Sequence, residues 1–245
     1  MNRVGVVTQA RTGSTRLPGK VLIEVAGRTM LDHHLDRLVA AGLDVYVATT
    51  DNASDDRVAD LAQRRGIAVF RGSEEDVLSR FAGCARAHDL DVVVRVTSDC
   101  PLIDGDIVAD GVTRFLQLRE QHGDDVYLSN TLERTFPRGF DFEVVAAAAL
   151  QRADREATAR RDREHVTPWL YAGPHRLPHV VQVRRAVDRS SYRVTLDTVE
   201  DLELIRRLIE EHAAATLDCD GVIAVLDAHP ELVALNADVA QRELG

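Results

Sequence analysis

The sequence predicts an α/β fold built on a doubly wound, mostly parallel (mixed) sheet. Short runs rich in β-branched residues alternate with amphipathic segments through the first hundred residues. These runs are apolar almost throughout, as in strands that helices cover on both faces. Helix start and stop signals separate the runs and give the order β-α-β-α-β-α-β. Strands in this order pair in parallel through helical crossovers.

The strands and the first helix of this half follow from the apolar pattern. Strands are predicted at residues 4–8, 45–48, 67–70 and 92–96. The first helix is predicted at residues 30–41, because leucines recur there on one face and Gly42 follows as a stop signal.

Two further helices are predicted from their end signals. Asp55 and Asp56 place negative charge at a helix start, where the macrodipole favours it, and Gly66 closes this helix. Ser73, with Asp76 three residues on, predicts the cap of a helix that continues to Ala87.

The second half is less regular. Strands are predicted at residues 126–128, 142–145, 180–183 and 192–196. Helices are predicted at residues 146–153, 164–171 and 200–215, and as two short segments after Asp218. Asp201 and Glu203 are interpreted as first-turn acids that complement a helix dipole. No repeat, low-complexity tract or Gly/Ser linker is visible, so one domain is predicted over residues 1–245, with 131–178 projecting as an arm.

Composition narrows the function class. The formal net charge is -10, whereas a duplex-binding surface should be basic, so no nucleic acid is expected as a partner. The three cysteines form no Cys-x-x-Cys pair, which argues against a disulfide framework or a structural zinc site. Neither a run of eighteen apolar residues nor a signal-like N-terminal segment is visible, so a cytoplasmic protein with no membrane span is predicted.

A cationic loop with two glycines follows the first predicted strand. Residues 9–20 read Gln-Ala-Arg-Thr-Gly-Ser-Thr-Arg-Leu-Pro-Gly-Lys. Ligands bind at the carboxyl ends of parallel strands, and glycines let backbone N–H groups approach an anion closely. Five residues separate Gly13 from Gly19, and Val21 replaces the metal-binding Ser or Thr, so the loop is not a Walker A motif. The loop predicts a phosphate site whose metal is held elsewhere. A solvated surface turn is the alternative.

Two aspartates follow predicted strands that are far apart in the sequence. Asp99 comes shortly after strand 92–96, and Asp197 comes directly after strand 192–196. Both should face the crevice that the loop faces, and Mg²⁺ prefers carboxylate oxygens together with substrate phosphates and water. We therefore predict that Asp99 and Asp197 bind Mg²⁺. The alternatives are helix caps, with Asp99 capping a helix after Pro101 and Asp197 capping the helix that follows it.

These segments resemble the CMP-sugar synthetase (cytidylyltransferase) family. Residues 9–20 are similar to its nucleotide-binding signature, which Kdo, acylneuraminate and spore-coat polysaccharide cytidylyltransferases share. Residues 97–101, Thr-Ser-Asp-Cys-Pro, resemble the spore-coat branch more than the Kdo branch. Residues 196–202 resemble the family's Asp-Thr-Pro-Glu-Asp-Leu, with Val199 in place of the proline.

The resemblance implies a Rossmann-like fold of the nucleotide-diphospho-sugar transferase (GT-A-like) type and a homodimer. It also implies Mg²⁺-dependent transfer of CMP from CTP to a small acidic acceptor, with release of pyrophosphate. Sugar acids are the family's usual acceptors, and a phosphate- or phosphonate-bearing compound remains the other option.

Residue roles are carried over from the same resemblance. The cations at positions 11, 16 and 20 would hold the CTP phosphates, and the backbone near 9–11 would meet the cytosine. The catalytic residues implied are Lys20, Arg11, Asp99 and Asp197. The nucleotide-binding residues implied are Gln9, Ala10, Arg11, Gly13, Ser14, Arg16, Lys20, Thr97 and Ser98. The acceptor-site candidates are Asn130, Arg138 and His165.

Three other functions stay open from the sequence alone. A nucleotidyltransferase that uses GTP or UTP would keep the loop and the metal and change only the base pocket. A GT-A-type glycosyltransferase usually carries a close Asp-x-Asp pair, and Ser98-Asp99-Cys100 lacks its first acid. A non-catalytic nucleotide-binding module is the third, and it gives the two strand-end aspartates no role.

Overall fold

A computed structural model describes residues 2–240, and its centre is a seven-stranded sheet flanked by helices. The strands are β1 (Val4–Gln9), β2 (Glu24–Val25), β3 (Arg28–Thr29), β4 (Val45–Thr50), β5 (Ala68–Gly72), β6 (Val92–Thr97), β7 (Val126–Ser129), β8 (Glu143–Ala146) and β9 (His179–Gln182). The helices are α1 (Met30–Ala40), α2 (Asp56–Arg64), α3 (Val77–Ala87), α4 (Gly105–His122), α5 (Ala147–Glu156), α6 (Arg160–His165), α7 (Pro168–Tyr171), α8 (Val199–His212), α9 (Cys219–Ala228) and α10 (Pro230–Val233). Strands β2 and β3 form a separate two-stranded ribbon.

The main sheet is mixed, with the strand order β5-β4-β1-β6-β8-β7-β9. Strands β5, β4, β1 and β6 pair in parallel. Strand β8 runs antiparallel to both of its neighbours, and β9 is parallel to β7. The predicted α/β fold with a mostly parallel, mixed sheet is therefore confirmed.

The carboxyl ends of β1 and β6 lie side by side in this sheet. Gln9 is opposite Thr97 in the register, and the N–H of Ser98 donates to the carbonyl oxygen of Gln9 at 3.1 Å. The loop after β1 and the turn after β6 consequently leave the same edge of the sheet. This is the edge at which open α/β sheets bind their ligands.

The cap predicted for α3 lies three residues further on. The side chain of Asp76 accepts the N–H of Ser79 at 2.9 Å, which makes Asp76 the N-cap residue. The hydroxyl of Ser73 accepts the N–H of Asp76 at 3.1 Å and so belongs to the preceding turn. The prediction of Ser73 as the cap was wrong, because two hydroxyl or carboxylate residues at cap spacing compete for one helix start.

Residues 192–196 do not form the strand that their alternating pattern predicted. They run extended outside the sheet, and their only pairing within the described chain is an isolated bridge from Arg193 to Arg138. The N–H of Arg138 donates to the carbonyl of Tyr192, and the carbonyl of Arg138 accepts the N–H of Val194. The N–H of Leu196 donates to the carbonyl of Asp99 at 2.7 Å. The backbone groups of this segment therefore bond to loops and not to a neighbouring strand.

Two helices differ from their predictions. The helix predicted at 164–171 is broken into α6 and α7, because Val166 takes a positive φ of 74° and Pro168 begins a new turn. The sequence indicated helix α4 only as the helix after Pro101 that Asp99 could cap. Its glycines weaken the helical pattern, yet they are packing positions, since a Cβ atom at Gly111 would collide with the ring of Phe142.

Part of the predicted arm at 131–178 packs within the body of the protein. Strand β8 lies inside the sheet, between β6 and β7. Trp169 and Leu170 are buried in the main hydrophobic core. Burial of these apolar residues against the sheet is incompatible with projection of the whole segment.

A second, smaller core lies under the C-terminal helices. It joins apolar residues of α8, α9 and α10 to the extended segment, through Val194 and Leu196. This packing fixes the segment that carries Asp197 beside the edge of the main sheet. Within residues 2–240, no helix is both long enough and apolar enough to cross a membrane.

Candidate active site

A buried carboxylate anchors the loop that follows β1. Thr12 donates twice to Oδ1 of Asp55, from its backbone N–H and from its hydroxyl, both at 2.7 Å. Thr50, at the end of β4, donates to the other oxygen of Asp55. Asp55 is only 2% exposed and makes no cap bond to α2. Its role is therefore to hold the loop, and Asp56 is the acid of the first turn of α2.

The first half of the loop lies against Glu74. Arg11 forms an ion pair with Oε1 of Glu74 at 2.9 Å, and about half of the Arg11 side chain is exposed. A Cβ atom at Gly13 would lie 2.9 Å from the same oxygen, so the absence of a side chain allows this close approach. A phosphate held by Arg11 would replace Glu74 as its partner.

Lys20 joins the loop to both predicted metal ligands. Gly19 adopts a left-handed conformation with φ of 68° and turns the chain into a short 3₁₀ segment that buries Lys20. The Lys20 ammonium donates to Oδ2 of Asp99 at 3.1 Å and to Oδ1 of Asp197 at 2.8 Å. Three residues spread over the length of the chain therefore meet at one point.

The charges at this point stabilise one another. Burial disfavours the charged ammonium, but Asp99 and Asp197 outweigh it and raise the pKa of Lys20 above its ordinary value. Burial likewise favours a neutral Asp99, yet Lys20 and the hydroxyl of Thr97 lower the pKa of Asp99 to about 2. Asp99 is therefore anionic at neutral pH and can offer its oxygens to a cation.

Two arginines hold the second oxygen of Asp197. Arg16, from the loop, contacts Oδ2 at 3.0 Å, and Arg193 contacts it at 2.8 Å. Arg193 also forms an ion pair with Asp201, which is fully buried. The three acids of this cluster (Asp99, Asp197 and Asp201) thus face three cations (Lys20, Arg16 and Arg193), and the cluster is electrically balanced.

Asp201 positions the backbone around Asp197. Its carboxylate accepts the N–H groups of Asp197 and Thr198, at 2.9 and 3.1 Å. Asn236, from the C-terminal part of the chain, donates to Asp201 at 2.8 Å and to the carbonyl of Arg193 at 3.1 Å. The interpretation of Asp201 as an acid that only complements the helix dipole was therefore incomplete.

Neither predicted metal ligand caps a helix. The N-cap residue of α4 is Asp104, whose side chain accepts two N–H groups of the first turn. The N-cap residue of α8 is Thr198, which forms a capping box with Asp201. Both carboxylates, Asp99 and Asp197, are free of the structural role that competed with ligand binding.

The other predicted nucleotide-binding residues lie along the same edge. Ala10 and Ser98 are buried, and the N–H of Ala10 donates to the carbonyl of Ala48 in β4. The hydroxyl of Ser14 accepts the N–H of Leu17 at 3.4 Å and closes a turn within the loop. Gln9 accepts a bond from Arg95 at 3.4 Å. The predicted residues are therefore contiguous from the loop to the end of β6.

A cleft of about 800 Å³ opens next to this cluster, over β6 and β8. Thr97 at the end of β6 lines it, two residues before Asp99. Of the three acceptor candidates, Arg138 and His165 line the cleft. Asp141 and Glu143 line it as well.

Asn130 has a different position. It is fully buried, its amide donates to the carbonyl of Phe140 at 2.7 Å, and its oxygen accepts the N–H of Phe142 at 3.0 Å. Both ends of its side chain are thus used to hold the backbone of the cleft wall. This corrects the prediction that Asn130 binds the acceptor.

Arg138 gives the cleft an uncompensated positive charge. The other arginines of the lining are paired, Arg134 with Asp141 and Arg95 with Glu143. Among the described residues, no carboxylate forms an ion pair with Arg138. Burial, and then the neighbouring Arg134, lowers the pKa of Arg138, and the nearby Asp141, which is paired with Arg134, offsets this only in part.

His165 contributes a mostly neutral imidazole. Burial, together with Arg95 and Arg161, lowers the pKa of His165 below its ordinary value. At neutral pH the ring therefore offers one donor and one acceptor and no charge.

A family model described as cytidylyltransferase matches residues 6–220. The chain belongs to the cytidylyltransferase family. This places it among enzymes that use CTP as the nucleotide donor, and it sets aside the glycosyltransferase and the non-catalytic module.

Related proteins match the enzyme along most of its length. The spore coat polysaccharide biosynthesis protein SpsF of Bacillus subtilis is 33% identical, over 94% of this chain and 97% of its own. A 3-deoxy-manno-octulosonate cytidylyltransferase of Solibacter usitatus is 32% identical, over 83% of this chain and 93% of its own. A cytidylyltransferase structure from Leptospira borgpetersenii superposes with a TM-score of 0.89, at 32% identity over 99% of this chain and 100% of its own.

The acids of the cluster suit a magnesium ion that substrate oxygens help to hold. No group of three or more His, Cys, Asp or Glu residues with metal-binding geometry occurs within residues 2–240. Asp99 and Asp197 do, however, already share one cation, the Lys20 ammonium. Mg²⁺ is commonly bound by one or two carboxylates plus substrate phosphates and waters. Two carboxylates with hard oxygen donors match that donor set.

Proposed function

We propose that the enzyme transfers CMP from CTP to a small acidic acceptor and releases pyrophosphate, with Mg²⁺ bound at Asp99 and Asp197. The observation that carries this proposal is the meeting of Lys20, Asp99 and Asp197 at one point. Membership of the cytidylyltransferase family indicates CTP as the nucleotide, and the cluster explains why CTP would react at this edge of the sheet.

In the proposed reaction, an oxygen of the acceptor attacks the α-phosphorus of CTP. A bond forms between that oxygen and phosphorus, and the bond to the bridging oxygen of the β-phosphate breaks. Pyrophosphate leaves with the electron pair, and the proton of the acceptor passes to water. Positioning and charge neutralisation provide most of the catalysis in such transfers.

The chain's own cations perform the neutralisation. Arg11, Arg16 and Lys20 each rest on a carboxylate of the protein, and phosphate oxygens can take over these bonds. Exchange of one anionic partner for another keeps each cation compensated throughout binding. The bound Mg²⁺ would supply further positive charge to the phosphates.

Charge balance predicts that the metal and the nucleotide bind together. The three acids and three cations of the cluster cancel, so Mg²⁺ alone would add an uncompensated charge beside Lys20. A triphosphate brings negative charge of its own and draws Lys20 and Arg16 towards it. The carboxylates of Asp99 and Asp197 are then free to bind the ion.

An acidic acceptor follows from the unpaired Arg138 in the adjacent cleft. Sugar acids are the acceptors that the family resemblance implies, and two relatives are named for polysaccharide synthesis and for a sugar acid. The homodimer that the resemblance implies stays a prediction.

The test measures pyrophosphate release from each of CTP, UTP, GTP and ATP, with and without Mg²⁺, over a panel of small acids. We expect release only with CTP, Mg²⁺ and an acidic acceptor, because each component fills a different part of the site. Turnover that persists in excess chelator, or turnover of UTP or GTP equal to that of CTP, would contradict the proposal.

A further inference from the structure

The floor of the cleft is a cross-strand ion pair. Arg95 on β6 and Glu143 on β8 are opposite each other in the register. The guanidinium of Arg95 contacts Oε1 of Glu143 at 3.0 Å. Both residues line the cleft, and Glu143 is only 7% exposed. The pair is thus a built, nearly buried feature at the point where an acceptor would lie.

One oxygen of this pair has no partner. Oε2 of Glu143 is buried and accepts no hydrogen bond from the described residues. Nε of Arg95 is also buried without a partner. The same is true of Nε in Arg65, Arg80 and Arg185, none of which lines the cleft. The unpartnered carboxylate oxygen is therefore the feature that distinguishes this pair. Buried polar atoms are nearly always bonded, so an unpartnered oxygen on a side chain that lines a cleft points to a bond that a ligand makes.

The charge around this oxygen limits what the ligand group can be. A carboxylate oxygen only accepts, so the missing partner is a donor. The negative charge of Glu143 is already compensated by Arg95, and the cleft as a whole holds one cation in excess, Arg138. An ammonium group would add a further positive charge to this surface. A neutral donor, above all a hydroxyl, fits without such a cost.

We propose that the Arg95–Glu143 pair is a specificity-determining element that binds a hydroxyl of the acceptor through Oε2 of Glu143. This inference rests on the proposed function and adds to it a second contact, at a distance from the acid group held by Arg138. The pair selects acceptors that carry a hydroxyl as well as an acid, and it disfavours acids with apolar chains.

The same pair would disfavour doubly charged acceptors. Arg138 is the one lining arginine without a carboxylate partner among the described residues, and it can compensate one negative charge. A second negative charge on the floor would meet Glu143. The site therefore fits a hydroxylated carboxylic acid better than a phosphate or phosphonate dianion.

The test compares two acids of equal carbon number and equal acid group, 3-deoxy-manno-octulosonate and octanoate. Binding of each is measured by calorimetry on the whole chain, without Mg²⁺ so that no turnover occurs. We expect the hydroxylated acid to bind at least about 100-fold more tightly than octanoate, since a site built to bond a hydroxyl rejects analogues that lack it. Octyl phosphonate should bind no better than octanoate.

Two double variants isolate the oxygen of Glu143. Arg95→Met with Glu143→Leu removes the ion pair and the acceptor atom together, which avoids leaving one buried charge unpaired. Arg95→Met with Glu143→Gln removes the same charges but keeps an acceptor oxygen. We expect the leucine variant to reduce the discrimination below about tenfold, whereas the glutamine variant retains most of it.

The outcomes separate this inference from the proposed function. CTP binding with Mg²⁺ is measured on the same variants and should be equal in the two, because both lack the bond from Arg95 to Gln9. Equal discrimination by the two double variants, or failure of the wild type to prefer the hydroxylated acid, overturns the inference while the cytidylyl transfer stands. Loss of Mg²⁺-dependent CTP binding in the wild type would overturn the proposed function and leave the comparison of acids intact.

Discussion

Lys20 is the residue on which the proposed mechanism depends most. Its ammonium is the contact between the loop and both acids, and it is nearly buried. In the proposed reaction it turns from these carboxylates to the phosphates and stabilises the charge that grows on pyrophosphate. A preorganised donor of this kind is typically worth on the order of 10²–10³ in rate.

Replacement of Lys20 by alanine should therefore lower kcat by about 10²–10³ while the protein still folds. Folding is expected to survive because Arg16 and Arg193 still compensate Asp197, and because the Asp99 side chain is 29% exposed and can be hydrated. The measurement is steady-state turnover, with thermal unfolding recorded in parallel.

Arg28→Ala is the matched control for Lys20. Arg28 is a cation of the ribbon that follows the loop, it pairs with Asp36, and 46% of its side chain is exposed. Its loss should leave turnover within about twofold, because exposed ion pairs contribute little. Near-normal turnover of the Lys20 variant would remove the loop from the mechanism.

At the scale of single residues, motif spacing predicted the cluster well and the cleft only in part. Lys20 and Asp99 follow from strand ends that must share an edge. Asp197 was placed there from a strand at residues 192–196 that the structure does not form. The prediction that Asn130 binds the acceptor failed because a polar residue after a strand can equally well bond the backbone of the cleft wall, as Asn130 does. Arg193 was not predicted as part of the site. Its spacing of four residues from Asp197 and eight from Asp201 fits the ion-pair network that it forms.

Among the elements, helix α1 braces the turn that carries Asp99. His34 of α1 is fully buried, with Nε2 at 2.9 Å from the hydroxyl of Thr8 and Nδ1 at 2.9 Å from the carbonyl of Cys100. A carbonyl only accepts, so Nδ1 donates to it and the neutral ring accepts from Thr8. One imidazole thus connects α1, β1 and the turn after β6.

This arrangement predicts a loss of stability in mild acid. Burial lowers the pKa of His34 to about 4 from its ordinary 6.5. Between pH 6.5 and pH 4 the unfolded chain binds a proton that the folded chain does not. The contribution of His34 to the free energy of unfolding is therefore fully present above pH 6.5 and is lost as the pH falls towards 4. The full effect is about 3 kcal/mol in the free energy of unfolding.

Urea unfolding across this pH range tests the role of His34. The His34→Gln variant should be less stable at neutral pH but should lose the part of the slope that His34 contributes. His175→Gln, at an exposed histidine, should keep the full slope. If the free energy of unfolding varied with pH in the same way in the wild type and the His34 variant, the imidazole would be protonated without cost in the folded protein.

Elements were predicted best where the chain alternates regularly. The four parallel strands and three helices of the first half lie within a few residues of their predicted bounds. Residues 192–196 failed because an alternating pattern shows that one face is buried, and not which backbone the segment bonds to. Helix α4 was obscured by glycines that its close packing against Phe142 requires.

On the scale of the whole molecule, the site is assembled from both ends of the chain. The sheet brings the loop after β1 and the turn after β6 together, and the second core places the Asp197 segment beside them. The family model ends at residue 220, yet Asn236 lies beyond that boundary and supports Asp201 and Arg193. Strand ends alone predict that the loop after β1 and the turn after β6 meet. They do not predict the position of the segment that carries Asp197, because its path depends on packing in the second core.

In the proposed mechanism, the loop and the two acids form one site for Mg²⁺ and a triphosphate. Calorimetric titration of CTP into the whole chain, with and without Mg²⁺, tests it most directly. We expect Mg²⁺ to tighten CTP binding by at least about tenfold, equivalent to about 1.4 kcal/mol. Asp99→Asn and Asp197→Asn should each abolish this gain, whereas Asp124→Asn, at a surface ion pair with Arg119, should preserve it. An undiminished gain in either variant of the cluster would contradict the account.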